Sequence, residues 1–168
     1  MQVSFGIIML ALDKKNQPVT FNLKQMLEAF VDHRRDVVTK RCIFDLKKAQ
    51  ERAHILEGLK KALDNIDEVI ATIKASSEAQ IAKENLMKKF DFSERQSVAI
   101  LEMRLQRLTG LEKEKILNEL AELMKEIDWL KFVLADVKEI YKIIVQELED
   151  IKKKYSQKNV SLTYEGDI

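Results

Sequence analysis

From Leu23 to about Leu63, apolar residues recur in steps of three and four. They are Leu23, Met26, Leu27, Phe30 and Val31, then Val38, Cys42, Leu46, Ala49, Ala53, Leu56, Leu59 and Leu63. This is the stripe of an amphipathic helix. It is interrupted between Asp32 and Asp36, where a bend is predicted, and the segment holds no Pro and a single Gly, Gly58. Asn22, with Gln25 three residues on, reads as the N-cap. Helix is predicted to continue after a kink from Asp64 to Lys74. A second stripe runs through Ile116, Leu120, Leu123, Ile127, Leu130, Leu134, Val137, Tyr141, Ile144, Leu148, Ile151 and Tyr155. Its spacing alternates four and three for more than five heptads, the seam of a coiled coil. Each helix would extend about 60 Å, too long for a core helix of so small a domain. The two are therefore predicted to pair lengthwise and antiparallel, with the intervening segment making the reversal.

Outside these stripes the pattern changes period. Gln2 to Leu12 is rich in Val, Phe, Ile and Leu, Asp13 to Gln17 is a turn, and Pro18 to Phe21 is a second β run. Together they predict a hairpin, which alone is marginally stable. It is therefore expected either to pack on the helices or to belong to a larger sheet, and a start inside a strand suggests an excised fragment. Ser77 with Gln80, and Ser93 with Gln96, have capping-box spacing and open two short helices, Ser77 to Met87 and Ser93 to Leu108. Thr109 and Glu112 form a third such pair at the start of the last helix. The expected organisation is a hairpin (1–21), a descending helix (22–74), a helical knob (75–112), an ascending helix (113–155) and a polar tail (156–168). The fold class is mainly α: a long antiparallel coiled coil with a small helical dimerisation knob at its tip and a short N-terminal β-hairpin.

Composition supports helices. Of 168 residues, 34% are charged and 46% apolar, with one Pro and four Gly, too few turn residues for a compact all-β fold. Lys plus Arg (29) nearly balance Asp plus Glu (28), so no global charge draws the chain to nucleic acid or anionic lipid. One cysteine, Cys42, excludes an internal disulfide. The longest apolar run, Phe5 to Leu12, is far below the roughly 20 residues of a membrane span.

Catalytic chemistry is sparse. His33 and His54 have no Cys or Ser at a pairing distance in sequence and read as solvated or capping residues. Tyr141 and Tyr155 sit on the seam, and Tyr164 lies in the tail without an activating base. Asp64, Asp67 and Glu68 share a helix face but lack the further ligands a hard cation needs, so a solvated face is the better reading. No phosphate loop or dinucleotide fingerprint is present.

Two surfaces invite function. Arg34, Arg41 and Lys48 are heptad-spaced, with Arg35, Lys40 and Lys47 beside them. They could contact DNA phosphates, or form an ordinary solvated coiled-coil face diluted by Asp45 and Glu51. Between Phe90 and Leu111, Val98, Ile100, Leu101, Met103, Leu105, Leu108 and Leu111 crowd into a few turns. They could close a local core with Ile81 and Leu86, but so apolar a tip reads better as a dimerisation surface.

Several long motifs are familiar. Val3-Ser-Phe-Gly-Ile7, Phe30-Val-Asp-His-Arg-Arg-Asp-Val-Val-Thr-Lys-Arg41, Arg52-Ala-His-Ile-Leu-Glu-Gly58 and Ala62-Leu-Asp-Asn-Ile-Asp67 occur in order. Gln96-Ser-Val-Ala-Ile-Leu-Glu-Met-Arg-Leu-Gln-Arg-Leu-Thr-Gly-Leu-Glu112 is the most specific. The chain resembles the A-subunit family of the bacterial type IIA DNA topoisomerases. The Arg107 to Glu112 run is more similar to DNA gyrase than to the topoisomerase IV paralogue.

The resemblance implies the coiled coil and exit gate of such a subunit. In that family two A subunits meet at the tips of long coiled coils, and a transported duplex leaves between them. It implies a homodimer contact at or beside Leu101, Met103, Arg104, Leu105, Arg107, Leu108 and Thr109. Arg34, Arg35, Arg41 and Lys48 would be the DNA-facing positions. It also implies a parent enzyme in the bacterial cytoplasm, with no membrane association. That enzyme is an A2B2 complex with a B subunit, and it supercoils DNA using ATP and Mg2+ held by the B subunit. The family's nucleophilic tyrosine belongs to an upstream domain, so the segment itself is expected to be non-catalytic and to hold no cofactor or metal. The competing reading is a coiled-coil adaptor whose apolar tip binds another protein. The tail Ser156 to Ile168 is less basic than in many relatives, and the Ser76 to Ser93 link is shorter.

Overall fold

The structure, a computed structural model, describes residues 6–14, 16–103 and 110–156. Two strands, β1 (Met9–Leu12) and β2 (Pro18–Phe21), are followed by α1 (Leu23–Asp64), α2 (Ile66–Lys74) and α3 (Ala79–Phe90). Then come α4 (Glu94–Leu101), α5 (Gly110–Ala135) and α6 (Val137–Tyr155). The chain is mainly α with a short antiparallel hairpin, as its patterning predicts.

These elements form two compact units. The first comprises the chain through Arg41 together with the chain from Val133. Here β1 and β2 pair with Met9 opposite Phe21 and Leu12 opposite Pro18. Asp13 closes the turn, its Oδ1 accepting from the Gln17 N–H at 2.9 Å. Asn16 takes the left-handed conformation at φ 59°, which Asn tolerates well. The capping box of α1 forms as read: Asn22 Oδ1 accepts from the Gln25 N–H at 2.8 Å and Gln25 Oε1 from the Asn22 N–H at 3.0 Å. α1 passes through Asp32 to Asp36 without a break. There Lys14 of the hairpin turn reaches Asp36 at 3.2 Å. Val38, Val133, Ile140 and Ile144 are the buried apolar residues of this unit.

The second unit is Cys42–Phe132. Ala49 and Ala53 of α1 pack on Ile127 of α5, with Leu46, Leu120 and Leu123 around them. Arg52 pairs with Glu119 at 2.7 Å and Asp64 with Lys113 at 2.8 Å. As α1 advances the contacts recede along α5, so the two are antiparallel. Above this pair, α2, α3 and α4 close a core of Leu56, Leu59, Ala62, Leu63, Val69, Leu86, Phe92, Ile100 and Ile116. Asn65 separates α1 from α2 at φ −122°, ψ 38°, outside the helical range. Asp91 ends α3 in the left-handed conformation, and Lys61 donates to the Phe90 carbonyl at 2.5 Å.

Three expectations are revised. The ascending helix is two helices, α5 and α6, divided at Asp136. Asp136 is extended, and its Oδ1 accepts from the Lys138 N–H at 2.9 Å. Asp is a poor interior helix residue and a strong cap, so local chemistry overrides the heptad. Around the break the buried stripe also departs from the predicted seam: Ile144 is buried as expected, Val133 and Ile140 are buried in place of their neighbours Leu134 and Tyr141, and Val137, Tyr141, Leu148, Ile151 and Tyr155 are exposed. Secondly, the Ser77/Gln80 box does not form; Glu78 is the N-cap residue of α3 and makes no side-chain cap bond. Thirdly, α4 ends at Leu101 rather than Leu108. The Thr109/Glu112 pair lies outside the described residues, save for the backbone of the latter.

Ser97 is fully buried on α4, and its Oγ has no hydrogen-bond partner among the described residues. An unpaired buried hydroxyl opposes folding. Ser97→Ala should therefore leave stability unchanged or raise it by up to about 1 kcal/mol in urea unfolding. A loss larger than that would reveal a partner for the hydroxyl.

Candidate functional site

The knob presents an apolar groove. Ile66, Val69, Ile70 and Ile73 of α2 recur at helical spacing and form one wall. Ile100 and Leu101 of α4, followed by Met103, form the other, and Lys74 stands at the margin. The groove holds about 500 Å³. Its floor is continuous with the knob core, since Val69 and Ile100 belong to both and Ile73, Leu101 and Met103 pack against that core. Of the residues read as a dimer contact, Leu101 and Met103 are thus placed in one apolar surface. Arg104, Leu105, Arg107, Leu108 and Thr109 lie outside the described residues.

α4 is held on α1 by a compact polar cluster. Ser93 caps α4, its Oγ accepting from the Gln96 N–H at 3.3 Å, while Gln96 Oε1 accepts from the Ser93 N–H at 3.0 Å. That bond fixes the Gln96 amide, so its Nε2 faces α1 and donates to the His54 carbonyl at 2.7 Å. His54 Nε2 and Ser93 Oγ share a further hydrogen bond of 2.7 Å. His54 is exposed, as one of its two readings had it, and its ring bonds the capping Ser93 rather than capping a helix end itself. His33 is exposed beside the hairpin, along a groove that also includes Phe21, Gln25 and Asp32.

Sequence reasoning missed the partner of this cluster. Gly58 is buried inside α1, within two turns of its C-terminal end, where Gly costs about 1 kcal/mol relative to Ala. A Cβ there would lie 2.5 Å from Gln96 Cγ and 2.8 Å from its Cβ and Cδ. The glycine therefore permits the close approach of α4. The signal was available: a lone Gly within a long helical pattern marks a packing or functional demand.

The basic stripe is tied into its own unit. Arg34 and Arg41 both bind Glu147 of α6, Arg41 at 2.5 Å. Arg35 pairs with Asp32 at 3.3 Å and Asp36 at 3.8 Å, and donates to the Tyr141 hydroxyl at 3.5 Å. In the second unit Lys48 lies exposed beside Asp45, Arg52 and Glu126. Burial pushes the Glu147 carboxyl up, but the hydrogen bonds and charges of Arg41 and Arg34 outweigh it and hold it below the ordinary glutamate value. The Asp64, Asp67, Glu68 face divides among partners: Asp64 turns to Lys113 and Glu68 to Lys89 at 3.4 Å. No described helix is long and apolar enough to cross a membrane.

An antiparallel helix pair crowned by three short helices, with an apolar groove in the crown, defines a helical coiled-coil module. Comparison with known proteins makes the assignment specific. The family model for the DNA gyrase/topoisomerase IV A subunit matches residues 1–149. The DNA gyrase A subunit of Campylobacter jejuni is 54% identical over 155 residues, covering 92% of this chain and 18% of that protein. The Clostridium acetobutylicum protein of the same name is 56% identical over 155 residues, 92% of this chain and 19% of its own. That of Streptococcus pneumoniae is 49% identical over 158 residues, 94% and 19% of the two chains. This chain belongs to the DNA gyrase/topoisomerase IV A-subunit family, and it spans less than a fifth of the length of these relatives.

Glu147→Gln should lower stability by about 1 kcal/mol at pH 7, the scale of a partly exposed charged hydrogen-bond pair. Its sign with pH follows from the lowered pKa. The contribution is complete above the unfolded value of about 4.3 and is lost as pH falls through the folded one. The gap between wild-type and E147Q urea midpoints should therefore close below about pH 4.3. A gap that persists undiminished to about pH 2 would show that Glu147 acts by shape rather than charge.

Proposed function

We propose that this chain is the coiled-coil and exit-gate portion of a bacterial gyrase A subunit. It joins two such subunits at the knob and opens to release a transported duplex. The groove carries this reading. Seven of its eight lining residues are apolar, and Met103 leads directly into Arg104, Leu105, Arg107, Leu108 and Thr109. An apolar patch beside a segment that adds Leu105 and Leu108 among polar and basic residues suits a self-complementary contact, in which a two-fold axis brings the same surface against itself. A contact of modest size can hold shut and still part transiently.

The similarity to gyrase proteins supports gyrase over the topoisomerase IV paralogue, and the motif matches argue against a plain adaptor. The parent would be a cytoplasmic A2B2 enzyme that passes one duplex through another. Its B subunit would hold ATP and Mg2+, and another part of the A subunit would hold the nucleophilic tyrosine. This segment would be structural, with no cofactor of its own. Arg34, Arg35, Arg41 and Lys48 would face the duplex in transit. Because the three arginines already hold acidic partners, such contact is weak and transient, as suits a segment that must leave.

Light scattering across a dilution series should give a mass near twice 19.6 kDa. Leu105→Asp should raise the dimer dissociation constant at least about tenfold, by placing a charge in the contact. A mass that never exceeds that of one chain, or a variant that associates as wild type does, rejects the gate. Duplex DNA should bind weakly, with affinity falling steeply between about 50 and 200 mM salt. Tight binding at the higher salt would make this a DNA-holding element instead.

A further inference from the structure

The tip surface grows out of α4, and α4 is fixed at its other end. Leu101 lies about two turns beyond Ser93 and about one and a half beyond Gln96, and backbone bonding continues beyond the helix, with the Met103 N–H donating to the Ile100 carbonyl at 3.2 Å. A short rigid helix transmits a displacement at one end to the other. At the anchored end the fit is unusually close. The His54 carbonyl accepts from the Gln96 amide at 2.7 Å, and its helical partner is the N–H of residue 58. The Gln96 side chain thus lies directly over Gly58, in space that any Cβ at that position would occupy. Arg95 adds only an exposed ion pair to Glu51 at 3.5 Å.

We infer that Gln96, seated in the notch at Gly58, is a positioning residue that sets where the tip surface stands, so that self-association depends on a contact more than one turn away from it. The inference rests on the dimer reading given above. Gln96 makes no described contact with the groove residues of α2; it acts through the placement of α4. The His54–Ser93 bond steadies the same end, so the key is made of one shape and four hydrogen bonds.

The test is sedimentation equilibrium of the chain at neutral pH, with circular dichroism confirming equal helicity. Gly58→Ala should raise the dimer dissociation constant at least about tenfold. In a Gln96→Ala background the same change should cost markedly less, because two of the three atoms it strikes, Cγ and Cδ, have been removed and only Cβ remains. Gln96→Glu covers the case in which Gly58→Ala does not fold. It keeps the size of the side chain and the cap to the Ser93 N–H but sets an oxygen against the His54 carbonyl, and should weaken the dimer about three- to thirtyfold. Folded variants that dimerise as wild type does overturn the inference, whatever their melting temperatures. So does a Gly58→Ala effect undiminished by Gln96→Ala. A wild-type chain that is monomeric at every concentration overturns the gate reading itself, an outcome distinct from a dimer indifferent to the key.

Discussion

Every packed element of this chain depends on the apolar stripe of α1. Val38, Cys42, Ala49, Ala53, Leu56, Leu59, Ala62 and Leu63 are all buried on that one helix. An isolated helix gains little stability from propensity alone; it needs a partner for its apolar face. α1 finds one in each unit, and the character of the stripe sets what the partner can be. Where it carries alanines, one helix, α5, lies against it. Where it carries Leu56, Leu59 and Leu63, there is enough apolar surface to gather α2, α3 and α4 as well.

The elements that were legible in the sequence are those whose signals are local or periodic. The hairpin follows from a β run, a turn and a second run. The Asn22 and Ser93 boxes follow from side chains three residues apart. The two long stripes announce the helices because burial repeats with the helical period. What escaped depends on competition or on partners distant in the chain. At Asp136 a heptad and a cap compete, and the cap wins because one satisfied backbone donor outweighs a seam position that can rephase. At Ser77 a well-spaced pair does not close, since the helix begins two residues later. Glu147 reads as one more exposed acid until the two arginines seven residues apart are seen to converge on it.

The candidate site was half legible. The apolar density after Phe90 marked the tip, but the α2 wall of the groove was read only as a helical continuation. The basic stripe was recognised as a set of charges, without the acids that meet them. A cluster of guanidinium groups seen in sequence is a statement about one helix. Its field at a distance is set by what the neighbouring helix supplies, and here that helix supplies Glu147.

Cys42 gives the chain a built-in clock. It is the single thiol in the sequence, and it is 4% exposed on the seam face of α1. A thiol in that position reacts with a water-soluble alkylating reagent only during the intervals when the helices around it part. The rate of its modification, compared with that of an unshielded thiol, therefore measures the fraction of time α1 leaves this position open, without any label or engineered residue.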